Sequence, residues 1–308
     1  MSKIAFIFPG QGAQAAGMGQ DFYEQTETGK AIFDKATEIL GFSMPELCFE
    51  KNDRLDITEY TQPAMVTASI AMMKVFMEHT GITPDAAAGL SLGEYPAMVA
   101  AGVMSPEDAI RTVRQRGILM QEAVPAGLGS MAAVLAMDAS EIEKVIAPIE
   151  GVQIANYNCP GQVVISGKKE AVAEAAERLK EAGAKRVLAL KVSGPFHSAM
   201  LTEAGEKLYK VLEDVEISEP AVPYVANVTA DYVTRKEDVK PLLRSQVSSS
   251  VRWEQSIRRM LAEGIDTFIE IGPGKTLTGF MKKIDKNAKA MNIETLEDIE
   301  KVKEALGC

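Results

Sequence analysis

Two segments of the chain carry residues suited to acyl chemistry: Gly89-Leu90-Ser91-Leu92-Gly93, and Gly194-Pro195-Phe196-His197-Ser198. The first fits G-x-S-x-G, in which a serine occupies a tight strand-to-helix turn and the flanking glycines remove side chains that would collide there. Such a turn exposes the hydroxyl above a sheet edge and aims the amides of the following helix at a carbonyl under attack. Ser91 is therefore the expected nucleophile, and the Leu92 N–H one expected oxyanion donor. A serine hydroxyl needs a base, and the chain has two histidines. His79 falls in the last turn of a predicted helix before Gly81, where histidine commonly serves as a favourable charge or a surface residue. His197 follows a predicted strand in a rigid Gly-Pro turn, at the junction of two predicted units where a cleft would form, and is the expected general base. No acidic third member can be chosen among so many carboxylates. A backbone carbonyl can also orient an imidazole.

The elements around these residues follow from periodicity and breakers. Strand Ile4–Phe8 runs into the loop Pro9-Gly10-Gln11-Gly12, a turn suited to free amides. A long helix over 64–78 ends at Gly81, and a small-residue strand over 85–89 leads to Ser91. A helix over 92–101 follows, stopped by Gly102, and Ser105-Pro106-Glu107-Asp108 opens another that runs to about Val124. Alternation of strands and helices predicts a mostly parallel sheet with helices on its faces. From Gly129 the rhythm changes to strand 131–137, helix 139–149, strands 152–157 and 163–166, helix 170–182 and strand 185–192. That βαββαβ order predicts an inserted ferredoxin-like subdomain over 128–194, entered and left at glycines. The fold class is then α/β: an α/β-hydrolase-like large subdomain over 1–127 and 195–308, including a late strand at 266–271, plus the small one.

Composition narrows the function classes. The 308 residues, 46% of them hydrophobic, can bury a full core. No apolar run approaches the ~20 residues needed to span a bilayer, and no signal-peptide pattern precedes Ile4, so a cytoplasmic protein without membrane partners is expected. Three widely spaced cysteines offer neither a disulfide framework nor a metal-ligand pattern, so no metal is expected. A formal charge of −10 argues against nucleic acid as a partner.

On the helix opened by Ser105, residues Ala109, Val113, Arg116 and Met120 share helical spacing, so Arg116 lies along or beside an apolar stripe. An arginine there wants an anion, although an ion pair or a snorkelling side chain is the commoner fate. Arg111 and Arg114, on more exposed faces, are expected to take that fate.

The whole chain resembles the malonyl-CoA:acyl carrier protein transacylases of bacterial fatty-acid synthesis. The resemblance rests on Phe8-Pro9-Gly10-Gln11-Gly12-Ala13-Gln14, Thr61-Gln62-Pro63-Ala64, Gly89 to Glu94, Arg116-Gly117, Asn158-Cys159-Pro160-Gly161-Gln162-Val163-Val164, Gly194 to Ser198 and Glu270-Ile271-Gly272-Pro273-Gly274, in that order. It implies a serine–histidine dyad, an oxyanion hole of the Gln11 and Leu92 amides, and a histidine held by the backbone carbonyl of Gln246. It implies that Arg116 binds the free carboxylate of a malonyl group, whose two oxygens suit a guanidinium fork. Asn158, at the subdomain junction, is expected to contact the pantetheine or acyl group. The partners implied are malonyl-CoA and acyl carrier protein, the coenzyme A thioester being a substrate and no separate cofactor being required; a monomer is expected. Phe196-His197 resembles the malonyl-selective members. The chain departs from many members in having Leu90, where they carry histidine; that side chain is not the base.

An acidic carrier protein would need a local basic patch on this acidic chain, either Lys185, Arg186 and Lys191 or Lys282, Lys283 and Lys286. Within the acyltransferase reading, a carrier of polyketide synthesis is the alternative to one of fatty-acid synthesis, and two readings of other classes compete. A serine esterase or thioesterase shares the serine–histidine pair, but has no need of a charge partner for an acidic acyl group. A nucleotide-binding protein is disfavoured because Gly10-Gln11-Gly12 lacks the third glycine, and Ile269 stands where a P-loop before Gly274-Lys275-Thr276 needs its first.

Overall fold

The structure, a computed structural model, describes residues 2–125, 127–190, 192 and 194–307. In chain order, strand β1 (Ile4–Phe8) leads to the short helices α1 (Gln20–Gln25), α2 (Glu27–Leu40) and α3 (Met44–Phe49), then the long α4 (Thr58–Thr80). Strand β2 (Ala86–Gly89), a 3-10 turn (Ser91–Gly93), α5 (Glu94–Ala100) and α6 (Pro106–Glu122) complete the first half. Next come β3 (Gly129–Leu135), α7 (Ala139–Ile146), β4 (Val152–Cys159), β5 (Gln162–Lys168), α8 (Lys169–Glu181) and β6 (Arg186–Ala189). The chain then forms α9 (Thr202–Glu213), β7 (Tyr224–Val225), β8 (Tyr232–Val233), α10 (Lys236–Gln246) and α11 (Trp253–Ala262). It ends with β9 (Thr267–Ile271), α12 (Thr276–Ile284), β10 (Lys289–Ile293) and α13 (Leu296–Leu306).

The strands form two sheets. The larger has the order β10-β9-β1-β2-β7-β8, with every pairing parallel except β7 with β8. Its central strands are aligned so that Phe8 of β1 stands beside Gly89 of β2. The loops leaving them, Pro9–Gly12 and the Ser91 turn, therefore open at the same carboxyl edge, where open α/β sheets bind ligands. The smaller sheet, β4-β5-β3-β6, is antiparallel throughout. With α7 and α8 joining its outer and inner strands, that order is the ferredoxin-like one expected from the βαββαβ rhythm. No helix among the described residues is long and apolar enough to cross a membrane.

The expected elements are present, with ends moved by local contacts. Strand β3 stops at Leu135 because Ala136 turns into the left-handed region (φ 59°) and donates its N–H to the Gly161 carbonyl at 2.8 Å. The helix expected over 92–101 is divided into the 3-10 turn and α5, since Gly93 bonds back to the Leu90 carbonyl at 3.0 Å.

The largest shift is in α4, which begins at Thr58, ahead of the expected 64, and carries Pro63 inside it. Proline lacks the N–H that would bond the carbonyl four residues back. The Glu59 carbonyl so freed accepts from Arg114 Nη1 at 2.6 Å, while Arg114 Nη2 pairs with the Glu59 carboxylate at 2.6 Å. The same guanidinium lies 4.4 Å from the Tyr60 ring centroid. Arg114 thus ties α6 to the first turns of the buried α4 and repairs the defect that Pro63 creates. Replacing it by leucine is expected to lower stability by about 2 kcal/mol, because a charge-assisted bond is lost and a carbonyl is left unpaired. Urea unfolding of Arg114→Leu checks this; an unchanged midpoint contradicts it.

Candidate active site

The Ser91 turn exists because three stretches of backbone touch. A Cβ on Gly89 would lie 1.9 Å from the Gly93 carbonyl carbon and oxygen, and one on Gly93 would lie 2.2 Å from the Phe8 carbonyl oxygen. Only hydrogen fits at either position, which is the physical content of the two glycines in the motif. Between them Ser91 is held at φ 52°, a conformation that costs a non-glycine residue free energy and persists only when its surroundings impose it. Those surroundings include Asn227, whose Oδ1 accepts from the Ser91 N–H at 2.6 Å and whose Nδ2 donates to the Gly89 carbonyl at 2.7 Å.

Facing the turn, His197 sits in the loop that follows the small sheet and precedes α9, and it too has a positive φ, 57°. Its Nε2 is 2.6 Å from Ser91 Oγ, and its Nδ1 is 2.9 Å from the Gln246 carbonyl. With the Nδ1 proton donated to that carbonyl, Nε2 is left to accept from the serine hydroxyl. No carboxylate takes the orienting position. Gln153 of β4 secures the loop by donating to the His197 and Ser248 carbonyls (3.0 and 3.3 Å) and accepting from the Ala199 N–H (3.0 Å). Burial holds the imidazole well below its ordinary value, down to about 4, with the Arg116 charge adding to the effect and backbone bonds to Gln246 and Ser249 opposing it. Neutral imidazole is the form able to accept a proton. His79, by contrast, is exposed in the last turn of α4.

Arg116 is more deeply placed than its helical pattern implies, with 1% of its surface exposed. Its Nη2 donates to Ser91 Oγ at 3.3 Å and to Gln246 Oε1 at 3.0 Å, while its Nε is buried with no partner among the described residues. Gln246 contributes its side chain as well as its carbonyl: Nε2 donates to the Ser91 carbonyl at 3.0 Å and to Glu94 Oε2 at 2.7 Å. Glu94 is buried, and that desolvation pushes its carboxyl up to about 7 against the pull of Gln246, the Asn227 N–H and the Arg116 charge. Arg111 and Arg114 make the expected ion pairs, with Asp108 and Glu59.

Around this cluster lies a cavity of ≈ 700 Å³ between the carboxyl edge of the large sheet and the face of the small one. Gln11, Leu92, Arg116, Asn158 and His197 all line it, so the separated sequence candidates meet in one space. Gln246 stands behind that lining, buried. The Asn158 Oδ1 is buried without a hydrogen-bond partner among the described residues, an acceptor in the wall. Glu94 and Asn227 join the site with no sequence signal that marks their roles. Glu94 adjoins the serine motif, but the contacts of Asn227 lie 136 and 138 residues away and leave no local trace. Of the basic residues considered for a carrier, Lys185, Arg186, Lys282, Lys283 and Lys286 are exposed, and Lys191 lies outside the described residues. Lys283 reaches Gln162, a lining residue, at 3.5 Å. No three His, Cys, Asp or Glu side chains among the described residues group as metal ligands would.

A parallel α/β sheet carrying a serine turn at its carboxyl edge, with an inserted antiparallel unit closing over a buried guanidinium, defines an acyltransferase architecture. The acyl transferase domain model matches residues 5–302, and the chain belongs to that family. It is 51% identical over 305 residues to a malonyl CoA-acyl carrier protein transacylase of Bacillus subtilis (strain 168), covering 97% of this chain and 96% of the relative. Among solved structures, the malonyl CoA-acyl carrier protein transacylase of Clostridium perfringens superposes with a TM-score of 0.96 at 42% identity, covering 99% of this chain and 98% of that one. A malonyl-transacylase solved in complex with a type II PKS acyl-carrier protein superposes at 0.96 with 38% identity, covering 99% and 100%.

If His197 activates Ser91, modification of Ser91 by a fluorophosphonate requires the neutral imidazole. A lowered value keeps the neutral form to lower pH, so the labelling rate is expected to fall on acidification around pH 4 and not around the ordinary 6.5. Arg116→Met removes a depressing charge and is expected to move that limb upward. A wild-type limb at 6.5 contradicts the burial effect.

Proposed function

We propose that this acyltransferase moves a malonyl group from malonyl-CoA to the phosphopantetheine thiol of an acyl carrier protein, through an ester on Ser91. The observation that carries the reading is the buried Arg116 guanidinium 3.3 Å from Ser91 Oγ. A carboxylate one methylene away from a thioester carbonyl reaches that guanidinium while its carbonyl sits on the serine. The Arg116 Nε, which has no partner among the described residues, leaves donor capacity for it. The names and the carrier complex of the relatives support the donor and acceptor.

In the first half-reaction the Ser91 hydroxyl gives its proton to His197 Nε2 as Oγ attacks the thioester carbonyl. The carbonyl oxygen becomes an oxyanion facing the Gln11 and Leu92 amides. Collapse breaks the C–S bond, and the departing thiolate takes the proton back from His197. In the second half, the carrier thiol gives its proton to His197 and its sulfur attacks the malonyl ester. Ser91 leaves with that proton and is regenerated. The Gln246 carbonyl holds the imidazole in one tautomer through both halves, and Asn158 contacts the acyl or pantetheine chain. In this reading residues 128–194 form the small subdomain and 1–127 with 195–308 the large one, supported by the antiparallel sheet that begins at Gly129 and ends at Ala189. The carrier docks over the exposed Lys282, Lys283 and Lys286, where Lys283 adjoins the cavity mouth. The enzyme acts as a cytoplasmic monomer.

Intact mass spectrometry after mixing with malonyl-CoA or acetyl-CoA tests the core of this. Wild type is expected to gain a malonyl adduct, and Ser91→Ala none. Arg116→Ala is expected to lose at least about 10²-fold in malonyl-transfer rate, and with it the preference over acetyl, because a charge-assisted pair is removed at the reacting group. Malonyl-CoA consumption as fast without carrier protein as with it would instead make the protein a thioesterase.

A further inference from the structure

The strained serine is held from both sides, and both holds converge on one atom. Asn227 accepts from the Ser91 N–H and donates to the Gly89 carbonyl; Gln246 donates to the Ser91 carbonyl. Gln246 also fixes Arg116 Nη2 through its Oε1 and His197 Nδ1 through its backbone carbonyl. Each of these two residues in turn bonds Glu94 Oε2: Gln246 by its Nε2 at 2.7 Å, Asn227 by its backbone N–H at 3.1 Å. Glu94 itself, 1% exposed at the head of α5, lies behind the nucleophile and does not line the cavity.

From this convergence we infer that Glu94 is a positioning residue for acyl transfer: its Oε2 is the shared acceptor that sets where Gln246 and Asn227 hold Ser91, Arg116 and His197. The inference rests on the function proposed above. A surface-type ion pair would have little geometric demand, but a two-donor acceptor does. Oε2 must sit where the Gln246 amide and the Asn227 N–H both reach it, so the side chain needs the length of glutamate and an oxygen at its end. It does not need a negative charge, because a carboxamide oxygen accepts the same two bonds. The titratable groups facing Glu94 are Arg116 from α6 and the neutral phenols of Tyr95 on its own helix and Tyr224 of β7. A residue present only to neutralise Arg116 would have the opposite requirement, tolerating a shorter carboxylate and failing as an amide.

Two near-conservative variants separate these roles. Glu94→Gln keeps length and acceptor and drops charge; Glu94→Asp keeps charge and withdraws the acceptor by one methylene. The rate constant and apparent malonyl-CoA affinity for Ser91 acylation are read by quenched-flow intact mass spectrometry, with thermal unfolding recorded for each protein. Glu94→Gln is expected to acylate within about 5-fold of wild type, the scale of one altered hydrogen bond. Glu94→Asp is expected to slow acylation by about 10²-fold, with the apparent affinity changed little, because the reacting groups are misplaced and not removed. Any other ordering overturns the inference, in particular Glu94→Asp acylating as wild type, or Glu94→Gln as slow as Glu94→Asp. A lowered melting temperature does not alter the reading, since acylation is followed well below it. Wild type that fails to form the malonyl ester would refute the proposed function itself, whereas a labelled wild type with the wrong variant ordering refutes only the role of Glu94.

Discussion

Backbone-to-backbone contact at the Ser91 turn is the constraint on which the rest of the site depends. Strand β2 must end against the first turn before α5, and that turn must lie on the end of β1, at separations where no Cβ fits. Once glycine permits those contacts, Ser91 has no choice but the left-handed region, and its hydroxyl projects from the carboxyl edge of the sheet. The free energy of that conformation is offset by hydrogen bonds from elements far along the chain. The turn is consequently a product of the assembled fold and would not persist in an isolated peptide.

Burying a guanidinium beside the turn is the second demand, and it organises the electrostatics. Desolvation alone would expel Arg116 or neutralise its neighbours. Tyr95, whose ring centroid is 5.8 Å from the guanidinium, and Glu94 oppose part of that desolvation. The same positive charge disfavours protonation of His197, so one arginine both offers an anion site and keeps the proposed base neutral. An incoming carboxylate would cancel that charge and make the imidazole a better proton acceptor at the moment it is needed. In the proposed reaction, selection of an acidic acyl group and activation of the serine would be coupled through that single residue.

The orienting group on the imidazole illustrates why part of the site was hidden in the chain. A carbonyl carries no residue identity, so nothing in the composition around Gln246 marks it; only resemblance to a family pointed there. The side chain of Gln246 is equally silent, because its three bonds go to residues 130 to 155 positions away. Arg116 was half legible: the helical stripe placed it near the apolar face, but not at full burial, since periodicity reports the side of a helix and not what packs against it. The early start of α4 was illegible for the same reason, as Pro63 reads locally as a boundary and is tolerated only because Arg114 arrives from α6.

By itself the chain determined the features that arise from neighbours in sequence. The glycine–serine pattern that marks the turn, the alternation that makes a parallel sheet, and the βαββαβ order of the inserted unit are all legible from local residue types and hydrogen-bond periods. Tertiary structure alone decided which atoms meet. It set His197 at 2.6 Å from Ser91, buried Arg116, and gathered Gln246 and Asn227 onto Glu94. Those contacts join elements more than 100 residues apart, and their distances are fixed by sheet register and helix packing, quantities that no window of sequence contains.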